Sequence, residues 1–277
     1  GVPLGDIERI IAAYEEKVLK RYPSLVDETG SFTSSTLASR LTKTFDLMGG
    51  ALAFDAGNCS GAMAVAAALD MLRSGENDMV LCAAGDRYLD LAAFEDLSLS
   101  SRLAVEPTSP SGKSQGMVPG EGAVVLVLKR LSDAVAAGDP IRGVIRGAAV
   151  ESARTPHEAT RNAIGEATRQ AKVSSHWVGA VEVAGSGDVR GQQQQMEVLA
   201  DQYGDGPGSK TGGTACGSLD GIVGHTGAAA GTAGVLKMTY ALSGGMMPVN
   251  LGSAEDIGSR LQASPKRALP IVAADPH

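Results

Sequence analysis

The apolar positions of this chain fall into two rhythms. Over residues 5–22, DIERIIAAYEEKVLKRYP, the apolar residues Ile7, Ile10, Ile11, Tyr14, Val18 and Leu19 share one helical face, which predicts an amphipathic helix stopped by Pro23. Further helices are predicted at about 35–47 (capped by Ser34 or Ser35), 60–74, 157–172, 191–203 and 226–242. Elsewhere the apolar residues run together: 51–55, 78–85, 123–129, 143–150, 180–185 and 268–274 read as short buried strands. Residues 27–35, 98–120 and 204–224 are polar or glycine-rich loops, and a loop as long as 98–120 is uncommon in a compact domain unless it has a task. Strands that do not alternate, interleaved with helices, predict an α/β fold whose sheets are covered by helices. A glycine corner followed by a small-residue helix occurs near 51–75 and again near 217–242, which suggests two similar halves.

Composition narrows the function classes. With 277 residues and 43% hydrophobic content, the chain can bury a large core in one domain or two. A net charge of −7 argues against nucleic acid as a partner. No apolar run reaches the roughly 18–20 residues of a membrane span, and residues 1–22 read as a helix rather than a secretory leader, so a cytoplasmic location is expected. The cysteines Cys59, Cys82 and Cys216 are odd in number and lack metal-type spacing, so neither a disulfide framework nor a bound metal is expected.

The chemistry concentrates at the corner FDAGNCSGAM. Gly57-Asn58-Cys59-Ser60-Gly61 fits G-x-C-x-G, the cysteine form of a nucleophile elbow. A thiol there would sit at a helix N-terminus, where the dipole and free N–H groups favour a thiolate and can hold an oxyanion. The alternative is a small apolar cysteine where a helix starts. Such a nucleophile needs a base. His277 ends the sequence, and His157 and His176 read as surface residues, whereas His225, in GHTGAAAG between a glycine loop and a helix, reads as a site residue or else as a core or capping histidine.

With those residues in place, four blocks resemble the β-ketoacyl synthases, the condensing domains of polyketide and fatty-acid synthases. They are LASRLTKTFDLMGGALAFDAGNCSGAMAVAAALDMLRSGENDMVLCAAG, MVPGEGAVVLVLKRLSDAVAAGDPIRGVIRGAAV, VEVAGSGDVRGQQQQMEVLADQYG and GSLDGIVGHTGAAAGTAGVLKMTYALSGGMMPVNL, in family order and at natural spacing. The resemblance implies a thiolase-like fold of two similar α/β halves and a homodimer or ketosynthase heterodimer. It also implies acyl groups carried on the phosphopantetheine of an acyl carrier protein, with no cofactor bound by the domain itself. Residues 1–277 are read as one ketosynthase-like domain within a larger synthase chain, with the opening and closing strands of the fold missing.

The departures from the family pattern bear on activity. Counting without gaps from Arg73–Glu76 and from Gly49 and Asp55 puts Asn58, not Cys59, at the family's cysteine position. Ala184 stands at the first catalytic histidine, in AGSGD, and Asp220 at the supporting lysine, while the second histidine is kept as His225. Decarboxylative condensation uses two imidazoles to stabilise an enolate, so the expectation is a domain impaired in condensation, with a structural, chain-length or acyl-holding role. The alternatives are an active synthase or acyltransferase with Cys59 as shifted nucleophile and His225 assisting, and, more distantly, a cysteine-type α/β-hydrolase with Asp188 as its acid.

Overall fold

The computed structural model describes residues 4–21, 35–87, 89–104, 116–174, 177–185, 189–203 and 215–245. The chain divides into two units, Gly1–Ala53 and Phe54–His277. In the first, the predicted amphipathic helix forms as α1 (Leu4–Arg21), with Ile10 and Tyr14 exposed, and α2 (Ser35–Thr44) ends three residues short of the predicted boundary.

In the second unit the glycine corner opens α3 (Ser60–Ser74), which buries Val65, Ala68 and Leu72 and closes on Gly75. The two apolar runs after it pair with each other. β1 (Met79–Asp86) lies antiparallel to β2 (Gly122–Lys129), with Met79 opposite Lys129 and Asp86 opposite Gly122. Against the expectation of strands covered on both sides, β2 has no fully buried residue. One face of this ribbon, carrying Val80, Cys82, Leu126 and Leu128, packs on Val65 and Ala68 of α3. On the other, Val125 and Val127 remain 54% and 63% exposed. Arg130 fastens α3 to the ribbon: Nη1 donates to the Leu72 and Asn77 carbonyls at 3.0 and 2.6 Å, and the guanidinium also binds Asp78 and Asp133.

Three short helices were not legible in the apolar rhythm: α4 (Leu91–Leu99), α5 (Leu131–Ala137) and, inside the expected 204–224 loop, α8 (Asp220–Val223). Asp90 starts α4 by accepting from Ala93 N–H at 2.8 Å, an ordinary N-cap. α6 (Pro156–Ala171) starts at Thr155, whose hydroxyl accepts from Glu158 N–H, and α7 (Val189–Tyr203) packs beside it. Between them lies a second core of Val178, Val181, Val183, Leu199 and Tyr203. β3 (Ala180–Glu182) pairs in parallel with β4 (Ala215–Gly217), and α9 (Ala230–Gly244) completes the unit.

Several expectations are corrected. Residues 51–55 form no strand among the described residues, because a ladder needs a neighbour for each N–H and C=O and none pairs with them. Residues 143–150 carry one isolated bridge position at Val144 rather than a strand. There, Ile145 and Ala148 pack on the α3 core, and Ala148 N–H is taken by a helix side chain, Gln170 Oε1. The strand predicted at 180–185 ends at Glu182, and the helix predicted from 226 is preceded by a tight 3-10 turn, Gly227–Ala229. The 98–120 loop is closed at its base by hydrogen bonds between Met117 and both Arg102 and Ala104. Pro23, the polar loop at 27–34, residues 204–214, the predicted strand 268–274, Asp188, His176 and His277 lie outside the described residues.

Candidate functional site

The elbow is drawn tight by one hydroxyl. Ser60 Oγ donates to the Gly57 carbonyl at 2.7 Å and accepts from Ala56 N–H at 2.9 Å, while Cys59 N–H donates to the Ala56 carbonyl at 3.1 Å. Asn58 and Cys59 are both exposed at the start of α3, and the Cys59 thiol caps no helix N–H. Cys82 is its opposite: burial in the α3 core pushes its thiol up to about 11. A thiol-alkylating reagent on folded protein is therefore expected to modify Cys59 and spare Cys82, as read by peptide mass mapping. Equal labelling of the two would contradict this placement.

His225 is brought to the same region by packing of small residues. Gly61 of α3 faces Thr232 and the Ala228 carbonyl, and Gly231 faces Ala62, so α3 and α9 meet near their first turns. The approach to α9 is fixed from outside the helix. Asp86, at the end of β1, accepts from Ala228 N–H at 2.8 Å, and its carboxylate fills the space where a Gly227 side chain would stand. Gly227 also has φ +48°, in the left-handed region. Gly227→Ala is expected to lower stability by roughly 2 kcal/mol or more, from backbone strain plus displacement of Asp86. Chemical denaturation checks this, and an unchanged midpoint would contradict it.

The His225 backbone is held by Val118 and Gly120: its N–H donates to the Val118 carbonyl at 2.8 Å, and its carbonyl accepts from Gly120 N–H at 2.9 Å. Its side chain is 2% exposed, with Nδ1 3.3 Å from Asp220 Oδ2. The same carboxylate oxygen accepts from Gly185 N–H at 3.0 Å and occupies the space a Gly185 side chain would need. His225 Nε2 is buried, with no hydrogen-bond partner among the described residues. Of the residues singled out in the sequence, the structure thus joins His225, Asp220 and the backbone beside Ala184. It places Asn58 and Cys59 at the elbow with no hydrogen bond from the thiol to His225, and His157 in the first turn of α6.

A second buried pair was missed. Lys237 of α9 and Glu182 of β3 form an ion pair at 2.6 Å, each side chain 6% exposed. The available signal was a single charge within an apolar strand and a single cation within a small-residue helix. Among the described residues, no three His, Cys, Asp or Glu side chains gather where a metal ion could be held, and no helix is long and apolar enough to cross a membrane.

Comparison with known proteins gives a consistent result. The family described as Beta-ketoacyl synthase, N-terminal domain, matches residues 1–134, and Beta-ketoacyl synthase, C-terminal domain, matches residues 142–253. A phenolphthiocerol/phthiocerol polyketide synthase protein of Mycobacterium tuberculosis (strain CDC 1551 / Oshkosh) is 37% identical over 223 residues, covering 76% of this chain and 12% of that protein. A polyunsaturated fatty acid synthase protein of Thraustochytrium sp. (strain ATCC 26185 / S-3) is 32% identical over 262 residues, covering 90% of this chain and 9% of that protein. The chain thus spans a small fraction of the length of these relatives. Among solved structures, an oxazolomycin ketosynthase domain from Streptomyces albus JA3453 superposes with TM-score 0.76 at 24% identity, over 88% of this chain and 44% of that one. A type II polyketide synthase ketosynthase solved in complex with its acyl carrier protein superposes with TM-score 0.68 at 19% identity, over 79% and 56%. These likenesses show the thiolase-like α/β fold.

Proposed function

This chain belongs to the β-ketoacyl synthase family, and from that premise we propose that it is a domain of a polyketide or polyunsaturated-fatty-acid synthase that receives acyl thioesters without extending them efficiently. The observation that carries this reading is the surroundings of His225: the one retained imidazole lies against the Asp220 carboxylate, beside a segment whose family histidine is Ala184. Condensation develops negative charge on a thioester oxygen as carbon dioxide leaves. An alanine offers that oxygen no hydrogen bond, and a carboxylate near the site adds charge of the wrong sign.

On this reading the acyl group arrives on the phosphopantetheine arm of an acyl carrier protein. The domain, residues 1–277, works within a longer cytoplasmic synthase chain, paired with a second ketosynthase chain, identical or not. The complex of a related ketosynthase with its carrier protein supports the choice of partner. The domain's part is structural, chain-length-setting or acyl-holding.

A second reading has one observation in its favour: Cys59 is an exposed thiol at the start of a 15-residue helix, the place for a shifted nucleophile. The α/β-hydrolase alternative has no corresponding support, since its acid, Asp188, is outside the described residues and the chain's family is a different one.

The test is intact-protein mass spectrometry after incubation with an acyl-pantetheine thioester, combined with calorimetric binding of the non-hydrolysable acyl-pantetheine amide. Binding of the amide, with no stable adduct and no extension by a malonyl thioester, is the expected result. An adduct that disappears in Cys59→Ala, together with extended product, would favour the second reading.

A further inference from the structure

At the elbow the backbone donors are already taken. Ala56 N–H donates to Ser60 Oγ, Gly57 N–H to Asp55 Oδ1 at 3.4 Å, and Cys59 and Ser60 N–H to the Ala56 and Gly57 carbonyls at 3.1 and 3.0 Å. Two donors on neighbouring segments are held by carboxylates as well, Ala228 N–H by Asp86 and Gly185 N–H by Asp220. Free N–H groups at a helix start are what make such a place receptive to an anion. Here three of these six donors are filled by the chain's own carboxylates. Among the described residues no lysine or arginine pairs with Asp55, Asp86 or Asp220, and the buried Lys237 is paired with Glu182. A protonated His225 would balance Asp220 alone. Asp86 is tied to the elbow by packing. The position a Gly61 Cβ would take lies 2.8 Å from the Ala228 carbonyl oxygen and 3.3 Å from the Ala84 side chain. The residue that Asp86 caps and the strand that carries Asp86 thus both touch the first turn of α3.

We propose that this site selects neutral acyl groups and excludes those ending in a carboxylate, malonyl thioesters included, with Asp86 as a residue that determines the choice. This rests on the reading above that acyl thioesters are delivered to the elbow, where Asn58 and Cys59 are exposed. A malonyl carboxylate brought there finds none of the six donors free, and it meets two carboxylates of its own sign, Asp55 and Asp86, that no lysine or arginine neutralises. At an effective dielectric of about 20, each such carboxylate weakens the binding of an anion several-fold, and salt reduces the effect. A neutral acyl chain escapes this penalty, because an alkyl group needs no donor and carries no charge. The selection acts on binding, before any bond changes, and independently of the histidine lost at Ala184.

The test is calorimetry of the full chain with three pantetheine amides: butyryl, malonyl and malonamyl, the last carrying a carboxamide in place of the malonyl carboxylate at nearly the same size. The butyryl and malonamyl amides are expected to bind, and the malonyl amide to bind at least about tenfold more weakly at low salt. Raising the salt is expected to narrow that gap, a measurement that depends on no variant folding. Asp86→Asn keeps an oxygen for the Ala228 N–H while removing the charge, and is expected to narrow the gap at least about threefold. Equal binding of the malonyl and malonamyl amides would overturn this inference alone, as would a gap that salt does not narrow or that folded Asp86→Asn leaves unchanged. Failure of all three amides to bind would overturn the acyl-thioester reading with it.

Discussion

Replacing Lys237 by methionine is expected to destabilise the chain by about 3–5 kcal/mol, the usual cost of removing one partner of a buried ion pair. Lys237 and Glu182 are each 6% exposed, 2.6 Å apart, and join α9 to β3. The Glu182 carboxyl is pushed above the ordinary carboxylate range by burial, while the hydrogen bond and charge of Lys237 pull it back down. Its Oε1 already lacks a hydrogen-bond partner among the described residues. Methionine keeps most of the lysine's volume but leaves the carboxylate alone in a water-poor interior. The sign of the pH dependence follows. Without lysine, burial raises the folded-state pKa of Glu182 with nothing nearby to offset it but the Leu219 N–H, so the penalty of charge is greatest at neutral pH. As pH falls through that raised pKa the group protonates, and the deficit of the variant relative to the parent shrinks. Removing both charges, as Lys237→Met with Glu182→Leu, is expected to recover most of the loss. Urea denaturation of the three chains at pH 7 and pH 5 reads all of this, and a double variant no more stable than Lys237→Met would contradict it.

The second large effect is catalytic. Condensation by this chain is expected to run roughly 10²–10³ slower than in a relative carrying both histidines, since loss of one preorganised oxyanion donor costs about that factor. Ala184 accounts for this factor by itself, Asp220 deepens the deficit by placing its carboxylate on Nδ1 of the remaining imidazole, and Asn58 at the family's cysteine position withholds the thiolate, so the factor is a lower bound. Restoring a histidine as Ala184→His while Asp220 is kept is therefore expected to regain only part of the rate. Steady-state product formation from an acyl and a malonyl thioester measures this. Full recovery from Ala184→His alone would show that Asp220 does not matter.

The candidate residues were legible in the sequence one at a time, and the contacts between them were not. His225 stood out because glycines on either side announced a close approach, and the approach exists: Gly120 and Gly224 let two backbone segments meet around it. Asp220 could be placed by register against neighbouring blocks. Its contact with Gly185, 35 positions away, could not, because hydrogen-bond geometry across the sheet has no signature in local pattern. The Glu182–Lys237 pair, 55 positions apart, was hidden for the same reason. At the elbow the apolar run 51–55 looked like a strand, yet an apolar run says only that a segment can be buried and nothing about whether a partner strand lies beside it. The 143–150 run failed in the same way, since its apolar residues found the core while its backbone went to a helix side chain.

The measurement that tests the central claim most directly is carbon dioxide release from a malonyl thioester by the full chain. That step requires the imidazole pair but no acyl loading at the elbow, so it separates the consequences of Ala184 and Asp220 from any activity of Cys59. The account predicts release at least about a hundredfold slower than by a relative carrying both histidines, with little further drop in His225→Ala. Sustained decarboxylation that disappears in His225→Ala would contradict it, and would mean that a single imidazole beside Asp220 is enough.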